Sequence, residues 1–265
     1  MQSHFPLFSV SNHKFNVILL AAGMGTRLKP ATDYIPKALV ELGDLRAIDY
    51  FITQYQYIAQ RTIIAVGYCA DLLENYVRGK YPALNLAFSR EAVSELKGPT
   101  QSLMYALDCA DSRLPTIVSF CDYIIAEQFS VDHDALGVCK PMRGFVYGTY
   151  KTVAQIEEGV VRDLVFNDDL EHRKENGFTG IAICHNTKLL KAIVYGAAVH
   201  NKTGRELDFA VDLFAHYVKQ VRTLPCPLSK MLEFGTEDTL HKTRRHLHGD
   251  LGLPVQPPGA GPAGA

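Results

Sequence analysis

The sequence has no hydrophobic run long enough to cross a membrane. A membrane-spanning helix takes about 20 consecutive apolar residues, and no stretch of the 265 residues reaches that length. Residues 1–14 also lack the apolar segment of a secretory signal. These absences predict a cytoplasmic protein with no membrane partner.

The cysteines lack the paired spacing of metal sites and disulfide frameworks. The chain has 6 cysteines, and no two of them form a Cys-x-x-Cys pair. We therefore expect small buried hydrophobic residues in a reducing compartment, without a structural zinc ion.

Neither sign of charge is in excess. Lys and Arg number 27 against 28 Asp and Glu, a formal net charge of −1, whereas nonspecific binding of nucleic acid requires a basic surplus. The hydrophobic share of 47% and the charged share of 21% are those of a folded globular chain. No repeat of about 20 to 50 residues is visible, which excludes solenoids and propellers.

Strand and helix patterns alternate over the first half of the chain. Continuous apolar runs that stop at glycine or a polar residue predict strands buried on both faces, and apolar residues at helical spacing lie between them. This alternation predicts an α/β fold with a doubly wound, mainly parallel sheet. Strands are expected at residues 15–22, 62–67, 84–89 and 116–120, and helices at 49–60, 71–78 and 100–109.

The pattern becomes strand-rich beyond about residue 140. Short strands predict a small antiparallel insertion over one rim of the sheet, followed by two further helices. The strands are expected at residues 145–151, 160–166 and 178–184, and the helices at 206–220 and 240–246. We expect one domain over residues 15–248, an N-terminal extension at 1–14 and a disordered tail at 249–265, which is rich in Gly, Pro and Ala.

A glycine-rich loop follows the first predicted strand. Gly23 and Gly25 allow a tight turn whose backbone N–H groups can approach an anion, which indicates a phosphate cradle. A simple turn is the plainer alternative. A dinucleotide fingerprint would need a third glycine where Leu28 stands, and a P-loop would need the absent Gly-Lys-Ser/Thr.

Two cations near this loop favour the phosphate interpretation. Arg27 comes two residues after the second glycine, and Lys37 stands in the Pro-Lys-Ala-Leu segment at residues 36–39. Triphosphate chemistry needs such cations, because charge on the departing pyrophosphate must be neutralised.

Residues 20–30 and 36–39 resemble the signature LAAGxGTRLxP followed by PKxL. This is the signature of nucleotidyltransferases that activate sugar phosphates and related phosphorylated small molecules. The resemblance implies a Rossmann-like nucleotidyltransferase fold, Mg²⁺ as cofactor, and a nucleoside triphosphate and a phosphorylated acceptor as partners. It assigns catalysis to Arg27 and Lys37, and nucleotide binding to Leu20, Ala21, Ala22, Gly23, Gly25 and Thr26.

The resemblance also implies two metal-binding aspartates. Asp122 follows a buried strand where the family has Gly-Asp, with Cys121 in place of the glycine. Such a position, at the carboxyl end of a parallel strand, is where open α/β sheets bind ligands, and a carboxylate suits Mg²⁺. The second aspartate is either Asp212, which we prefer, or Asp208, both in the predicted helix at 206–220.

Further segments resemble the parts of the family that contact the base and the acceptor. Gly98 and Thr100 resemble the segment beside the nucleobase, where the threonine would bond the base or cap a helix. Gly180 resembles the acceptor-side strand, in the style of the phosphocholine and phosphonate cytidylyltransferases. The family's lysine that contacts the acceptor phosphate has no direct counterpart, and either Lys174 or Arg173 would substitute for it. Residues 233–238 resemble a late Gly-Thr turn.

These observations predict a nucleotidylyltransferase of the EC 2.7.7 type. It would transfer a nucleoside monophosphate to a sugar 1-phosphate or to a phosphocholine- or phosphonate-type acceptor, with release of pyrophosphate. The alternative is a non-catalytic protein of the same fold that senses nucleotides or sugar nucleotides. A nicotinamide dehydrogenase is disfavoured, because Gly67 and Tyr68 stand where a ribose-binding acid is required. The sequence leaves homo-oligomer formation open.

Overall fold

The computed structural model describes residues 14–90, 98–148, 150–166, 176–200 and 213–248. Its strands are β1 (Phe15–Leu20), β2 (Glu41–Leu42), β3 (Leu45–Arg46), β4 (Ala59–Val66), β5 (Leu86–Arg90), β6 (Thr116–Ser119), β7 (Tyr123–Ile125), β8 (Ala135–Cys139), β9 (Thr152–Glu157), β10 (Val160–Phe166), β11 (Phe178–Cys184), β12 (Leu224–Leu228) and β13 (Met231–Glu233). Its helices are α1 (Ala47–Tyr55), α2 (Ala70–Lys80), α3 (Pro99–Asp108), α4 (Thr187–His200), α5 (Ala215–Val218) and α6 (Glu237–Leu247).

A central sheet of 7 strands has the order β12-β8-β11-β6-β1-β4-β5 within the described part of the chain. Neighbouring strands are parallel except on either side of β11, which is antiparallel to both β6 and β8. The prediction of a mainly parallel α/β sheet is therefore confirmed. Because β1 and β6 are adjacent and parallel, the loops that follow them leave the sheet at the same edge.

Helices cover both faces of the sheet. The buried side chains of β1 alternate between two hydrophobic clusters, with Val17 and Leu19 in one and Ile18 and Leu20 in the other. The first cluster includes apolar residues of α1 and α2, and the second includes those of α3, α4 and α5. Burial on both faces explains why β1 is a continuous apolar run.

The antiparallel part of the fold differs in detail from the prediction. The expected antiparallel character is found in the hairpin formed by β9 and β10. The strand expected at residues 145–151 is wrong: within it Val146 makes a single bridge to Leu232, and the strand begins at Thr152. Residues 145–148 instead lie beside β13, as shown by the hydrogen bonds that Val146 exchanges with Met231 and Glu233.

Two strands of the central sheet, β8 and β12, were not predicted. Pro225 and Pro227 within β12 argue against a strand in sequence, since proline cannot donate to a sheet ladder. They are tolerated because β12 is an edge strand of the described sheet.

The helix predictions are confirmed in part. The first helix begins at Ala47 and ends at Tyr55, earlier than the expected 49–60, and the expected 240–246 lies within α6. Of the helix expected at 206–220, residues 206–212 lie outside the described residues, as do residues 1–13 and the tail at 249–265. No helix in the described ranges is both long and apolar enough to span a bilayer.

Candidate active site

The glycine loop leaves the carboxyl end of β1, and Gly25 packs tightly within it. Gly25 has φ +66°, and a Cβ there would lie 3.0 Å from Cβ of Lys37 and 3.2 Å from Cγ2 of Thr32. Glycine is therefore required for both conformation and space. The loop is held further by the Thr32 hydroxyl, which donates to the Gly25 carbonyl at 2.8 Å. A Cβ at Gly23 would meet no described atom within 4 Å, so Gly23 faces open space.

Lys37 and Asp122 come together as the sequence predicts. The Lys37 ammonium donates to Oδ1 of Asp122, which is 85 positions away in sequence and follows β6. The Lys37 side chain is 15% exposed and that of Asp122 is 44% exposed. Lys37 Nζ also lies 4.7 Å from the centre of the Phe234 ring. The structure thus joins the glycine loop, a cation and a carboxylate.

These groups line one open cavity of about 360 Å³. Of the predicted site residues it is lined by Leu20, Ala21, Ala22, Gly23, Lys37, Gly98 and Asp122. Met24, Ala38, Pro99, Ser102, Phe120 and Cys121 complete the lining. The predicted residues Gly25, Thr26, Arg27, Thr100 and Gly180 are not part of this lining.

Arg27 is exposed and lies at the turn that follows β13. A Cβ on Gly235 would be 3.4 Å from Arg27 Nη2, which places the guanidinium beside that turn. Arg27 is not among the residues that line the cavity, and its catalytic role stays a prediction.

Glu233 is the acidic residue that the sequence analysis did not select. It ends β13, which pairs with β7 in a register that puts Glu233 opposite Tyr123, the residue after Asp122. Glu233 is 6% exposed, and its Oε1 accepts from the Gly235 N–H at 2.9 Å. Its Oε2 is buried without a hydrogen-bond partner among the described residues. The available signal was a carboxylate two residues before the Gly235-Thr236 turn.

The electrostatics of Glu233 reflect its place in the site. Burial raises the pKa of Glu233. The Thr239 hydroxyl and the Lys37 ammonium oppose the rise, and the Asp122 carboxylate adds to it. Lys37 therefore acts on two carboxylates, Asp122 by direct contact and Glu233 through space. A second positive charge near them would be favourable.

The two carboxylates fit a divalent cation. Hard oxygen ligands suit Mg²⁺, and Glu233 offers a buried carboxylate oxygen, Oε2, for which the described residues provide no donor at hydrogen-bonding geometry. No group of three or more His, Cys, Asp or Glu residues suited to a metal is found in the described ranges. Asp208 and Asp212 lie outside those ranges, so their metal role stays a prediction.

Cys121 occupies a backbone conformation that favours glycine. Its φ is +55°, in the left-handed region where residues other than glycine are uncommon. Burial raises the pKa of the Cys121 thiol, with a further contribution from Asp122. The thiol is therefore neutral and lines the cavity as a small apolar group.

Gly98 and Thr100 lie at the start of α3. Gly98 has φ +86°, occupies the N-cap position and lines the cavity. No side chain caps this helix, so the capping role considered for Thr100 is wrong. Thr100 is 1% exposed, and its hydroxyl has no partner among the described residues. Its contact with a nucleobase stays a prediction.

Gly180 shapes the cavity because it leaves space for the Phe120 ring. It has φ +78° within β11, and a Cβ there would lie 2.1 Å from Cδ2 of Phe120. The Phe120 N–H donates to the Gly180 carbonyl at 3.1 Å. Gly180 thus makes room for the ring that lines the cavity, and its contact with an acceptor stays a prediction. Lys174 lies outside the described residues.

The fold and the cavity define an α/β protein with a glycine loop and paired carboxylates at the carboxyl edge of its sheet. Residues 16–133 match the nucleotidyl transferase family model. The CTP:phosphoglutamine cytidylyltransferase of Campylobacter jejuni is 29% identical over 120 residues, which make up 41% of this chain and 44% of that protein. Over this segment the chain is similar to the nucleotidyl transferase family.

Solved structures show the same fold. The CTP:phosphocholine cytidylyltransferase of Streptococcus pneumoniae has a TM-score of 0.69 at 21% identity, covering 88% of this chain and 99% of that one. An apo UDP-glucose pyrophosphorylase has a TM-score of 0.70 at 17% identity, covering 89% and 99%. The chain spans less than half the length of the curated relatives it matches.

Proposed function

We propose that this chain is a nucleotidylyltransferase. It transfers a nucleoside monophosphate from a triphosphate to a phosphorylated small molecule and releases pyrophosphate. The observation that carries the proposal is the meeting of the glycine loop, Lys37 and Asp122 in one cavity, with Glu233 beside them. The family match and the cytidylyltransferase and uridylyltransferase relatives support it.

The chain's own residues contribute binding and charge neutralisation. Backbone N–H groups of the loop at Gly23 and Gly25 hold the phosphates, while Lys37 and Arg27 neutralise the charge that develops on pyrophosphate. The acceptor phosphate is anionic near neutral pH and attacks the α-phosphorus without a general base. The protein therefore acts by positioning and electrostatic stabilisation.

We infer that Asp122 and Glu233 hold a divalent ion, with Mg²⁺ preferred. When bound, the ion supplies positive charge to the phosphate oxygens and fixes their orientation. Asp212 or Asp208 remains our sequence-based candidate for a further ligand. Glu233 is the addition that the structure makes to that set.

The acceptor belongs to one of two classes. Sugar 1-phosphates are one class, and phosphocholine- or phosphonate-type molecules are the other. Relatives named for phosphocholine, aminoethylphosphonate and glucose 1-phosphate support these two classes. The nucleobase side of the cavity is assigned to Gly98 and Pro99 at the start of α3.

The proposal is tested by pyrophosphate release from a matrix of four triphosphates and both acceptor classes with Mg²⁺. Wild type is compared with Asp122→Asn, and with Asp132→Asn as an exposed control carboxylate. We expect turnover with at least one pair, a loss of about a hundredfold or more in Asp122→Asn, and an unchanged rate in Asp132→Asn. If the protein binds a triphosphate but no pair of triphosphate and acceptor gives turnover, the non-catalytic sensing function is favoured. If it binds no triphosphate, both functions are overturned.

A further inference from the structure

Lys37 has a second partner that the proposed function does not use. Its Nζ lies over the face of the Phe234 ring, 4.7 Å from the ring centre. Phe234 directly follows Glu233 at the end of β13 and is 0% exposed. A cation over an aromatic face is attracted by the negative potential of the ring, most strongly where water is excluded.

The surroundings fix both members of this pair. The Lys37 stem is confined by the glycine loop, because Cβ of Lys37 would be 3.0 Å from a Cβ on Gly25. The Phe234 ring packs against Phe51 of α1, with ring centres 6.1 Å apart and planes inclined by 33°. With its side chain only 15% exposed, Lys37 has lost most of its water and depends on Asp122 and Phe234.

Asp122 and Phe234, the two partners of Lys37, differ in their proposed roles in the reaction. Asp122 is also the proposed ligand of the divalent ion, and a bound ion would compete with Lys37 for its carboxylate. Phe234 has no proposed role as a ligand, so its ring can stay in contact with the Lys37 ammonium. Lys37 can then face the phosphates while it stays in the cavity.

We propose that Phe234 is a positioning residue that acts through Lys37: its ring face holds the Lys37 ammonium toward the phosphate-binding loop. This inference rests on the proposed function, since it assumes that Lys37 meets a phosphate. The plainer alternative is that the ring only fills the core next to α1.

A double-mutant cycle separates these two roles. The readout is the affinity of metal-free protein for inorganic pyrophosphate, measured by calorimetry, for Phe234→Leu, Lys37→Met and the double variant. We expect Phe234→Leu to weaken binding about tenfold when Lys37 is present and less than about twofold in the Lys37→Met background. Phe51→Leu is the matched control, because Phe51 packs against Phe234 and is also buried; it should leave the affinity within about twofold.

Fluorinated phenylalanines at position 234 give a readout that does not depend on Phe234→Leu folding. They keep the ring's shape and withdraw electron density from its face. Affinity should fall with each added fluorine in the Lys37 protein and stay constant in Lys37→Met. Equal losses in both backgrounds would overturn the role of Phe234 and leave the proposed function intact. A wild-type protein that binds neither pyrophosphate nor a triphosphate would overturn both.

Discussion

At the scale of single residues, the site depends on a few side chains that distant parts of the chain bring together. Lys37 follows the glycine loop, Asp122 follows β6, and Glu233 ends β13 near the end of the domain. The side chain of Lys37 contacts Asp122 and lies over Phe234. Each residue has an ordinary side chain, and the unusual feature is their proximity at one open cavity.

Replacing the Glu233 carboxylate should weaken metal binding. Glu233→Gln keeps the shape of the side chain and removes the charge, so we expect the affinity for Mn²⁺, used as a spectroscopic substitute for Mg²⁺, to fall by at least about tenfold. Electron paramagnetic resonance of free Mn²⁺ measures this. Glu237→Gln, whose side chain is 69% exposed, is the control. An unchanged affinity in Glu233→Gln would remove Glu233 from the ligand set.

Sequence reasoning identified Lys37 and Asp122 but missed Glu233, for a physical reason. The glycine loop and the strand-end aspartate are local patterns that can be recognised within a few residues. Glu233 reaches the site only through the pairing of β13 with β7, which involves segments far apart in the chain. The structure also shows why Gly235, two residues later, is a glycine: a Cβ there would lie 2.5 Å from Glu233 Oε1.

At the scale of secondary structure elements, the glycine in β11 shapes the cavity. Gly180→Ala should destabilise the protein by about 2–4 kcal/mol, since the added methyl overlaps the Phe120 ring and the backbone is left-handed. Urea denaturation measures this, and triphosphate affinity should fall as Phe120 is displaced.

The matched control for Gly180→Ala is a glycine in a helix. At Gly196 of α4 a Cβ would meet no described atom within 4 Å. Gly196→Ala should therefore raise stability by about 0.5–1 kcal/mol. Equal effects of the two substitutions would contradict the role assigned to Gly180.

The last helix carries a buried histidine that links stability to pH. His246 of α6 is 2% exposed, and its ring Nδ1 lies 3.1 Å from the Gly144 carbonyl oxygen. Burial lowers the pKa of His246 below its usual value near 6.5. The unfolded chain therefore takes up a proton at a higher pH than the folded protein, and stability is lost as pH falls below about 6.5.

The contribution of His246 can be isolated by substitution. We expect the free energy of unfolding to fall less steeply between about pH 6.5 and pH 5 in His246→Asn than in wild type. His241→Asn removes a histidine of the same helix whose side chain is 66% exposed and should keep the wild-type slope. Parallel curves for wild type and His246→Asn would show that this ring does not control the pH dependence.

The elements that the sequence predicted are those with a clear local pattern. The alternation of buried strands with amphipathic helices over β1 to β6 was predicted, because a strand buried on both faces must be apolar throughout. The strand β12 was missed, because its two prolines oppose a strand in every position except a sheet edge. Of the antiparallel hairpin β9–β10, the second strand was predicted at residues 160–166, whereas the first was missed, because the strand expected at 145–151 is replaced by one that begins at Thr152.

At the scale of the whole molecule, the sheet topology places the ligand site. Parallel neighbours β1 and β6 deliver the glycine loop and Asp122 to the same edge of the sheet. The carboxyl ends of strands are where open α/β sheets bind ligands. The order of the strands therefore determines the position of the candidate site in the fold.

Substrate binding at this edge should stabilise the entire fold. Because a ligand that binds only the folded protein adds to its stability, a triphosphate with Mg²⁺ at 100 times its Kd should contribute about 2.7 kcal/mol. Thermal unfolding with and without ligand measures the effect. Asp122→Asn should lose most of it, whereas Asp132→Asn should retain it. Equal stabilisation of all three proteins would indicate binding elsewhere.

The position of β12 also limits how copies of this chain could associate. Leu224 donates its N–H toward β8, to the Asp134 carbonyl, and along a strand alternate residues point their backbone groups to opposite sides. Pro225 and Pro227 therefore occupy the positions whose backbone N–H groups would face away from β8. Because proline has no N–H group, these two positions present no donor on the outer side of the strand. A second copy could not continue a regular hydrogen-bonded ladder across this border, so self-assembly by extension of the sheet is disfavoured there.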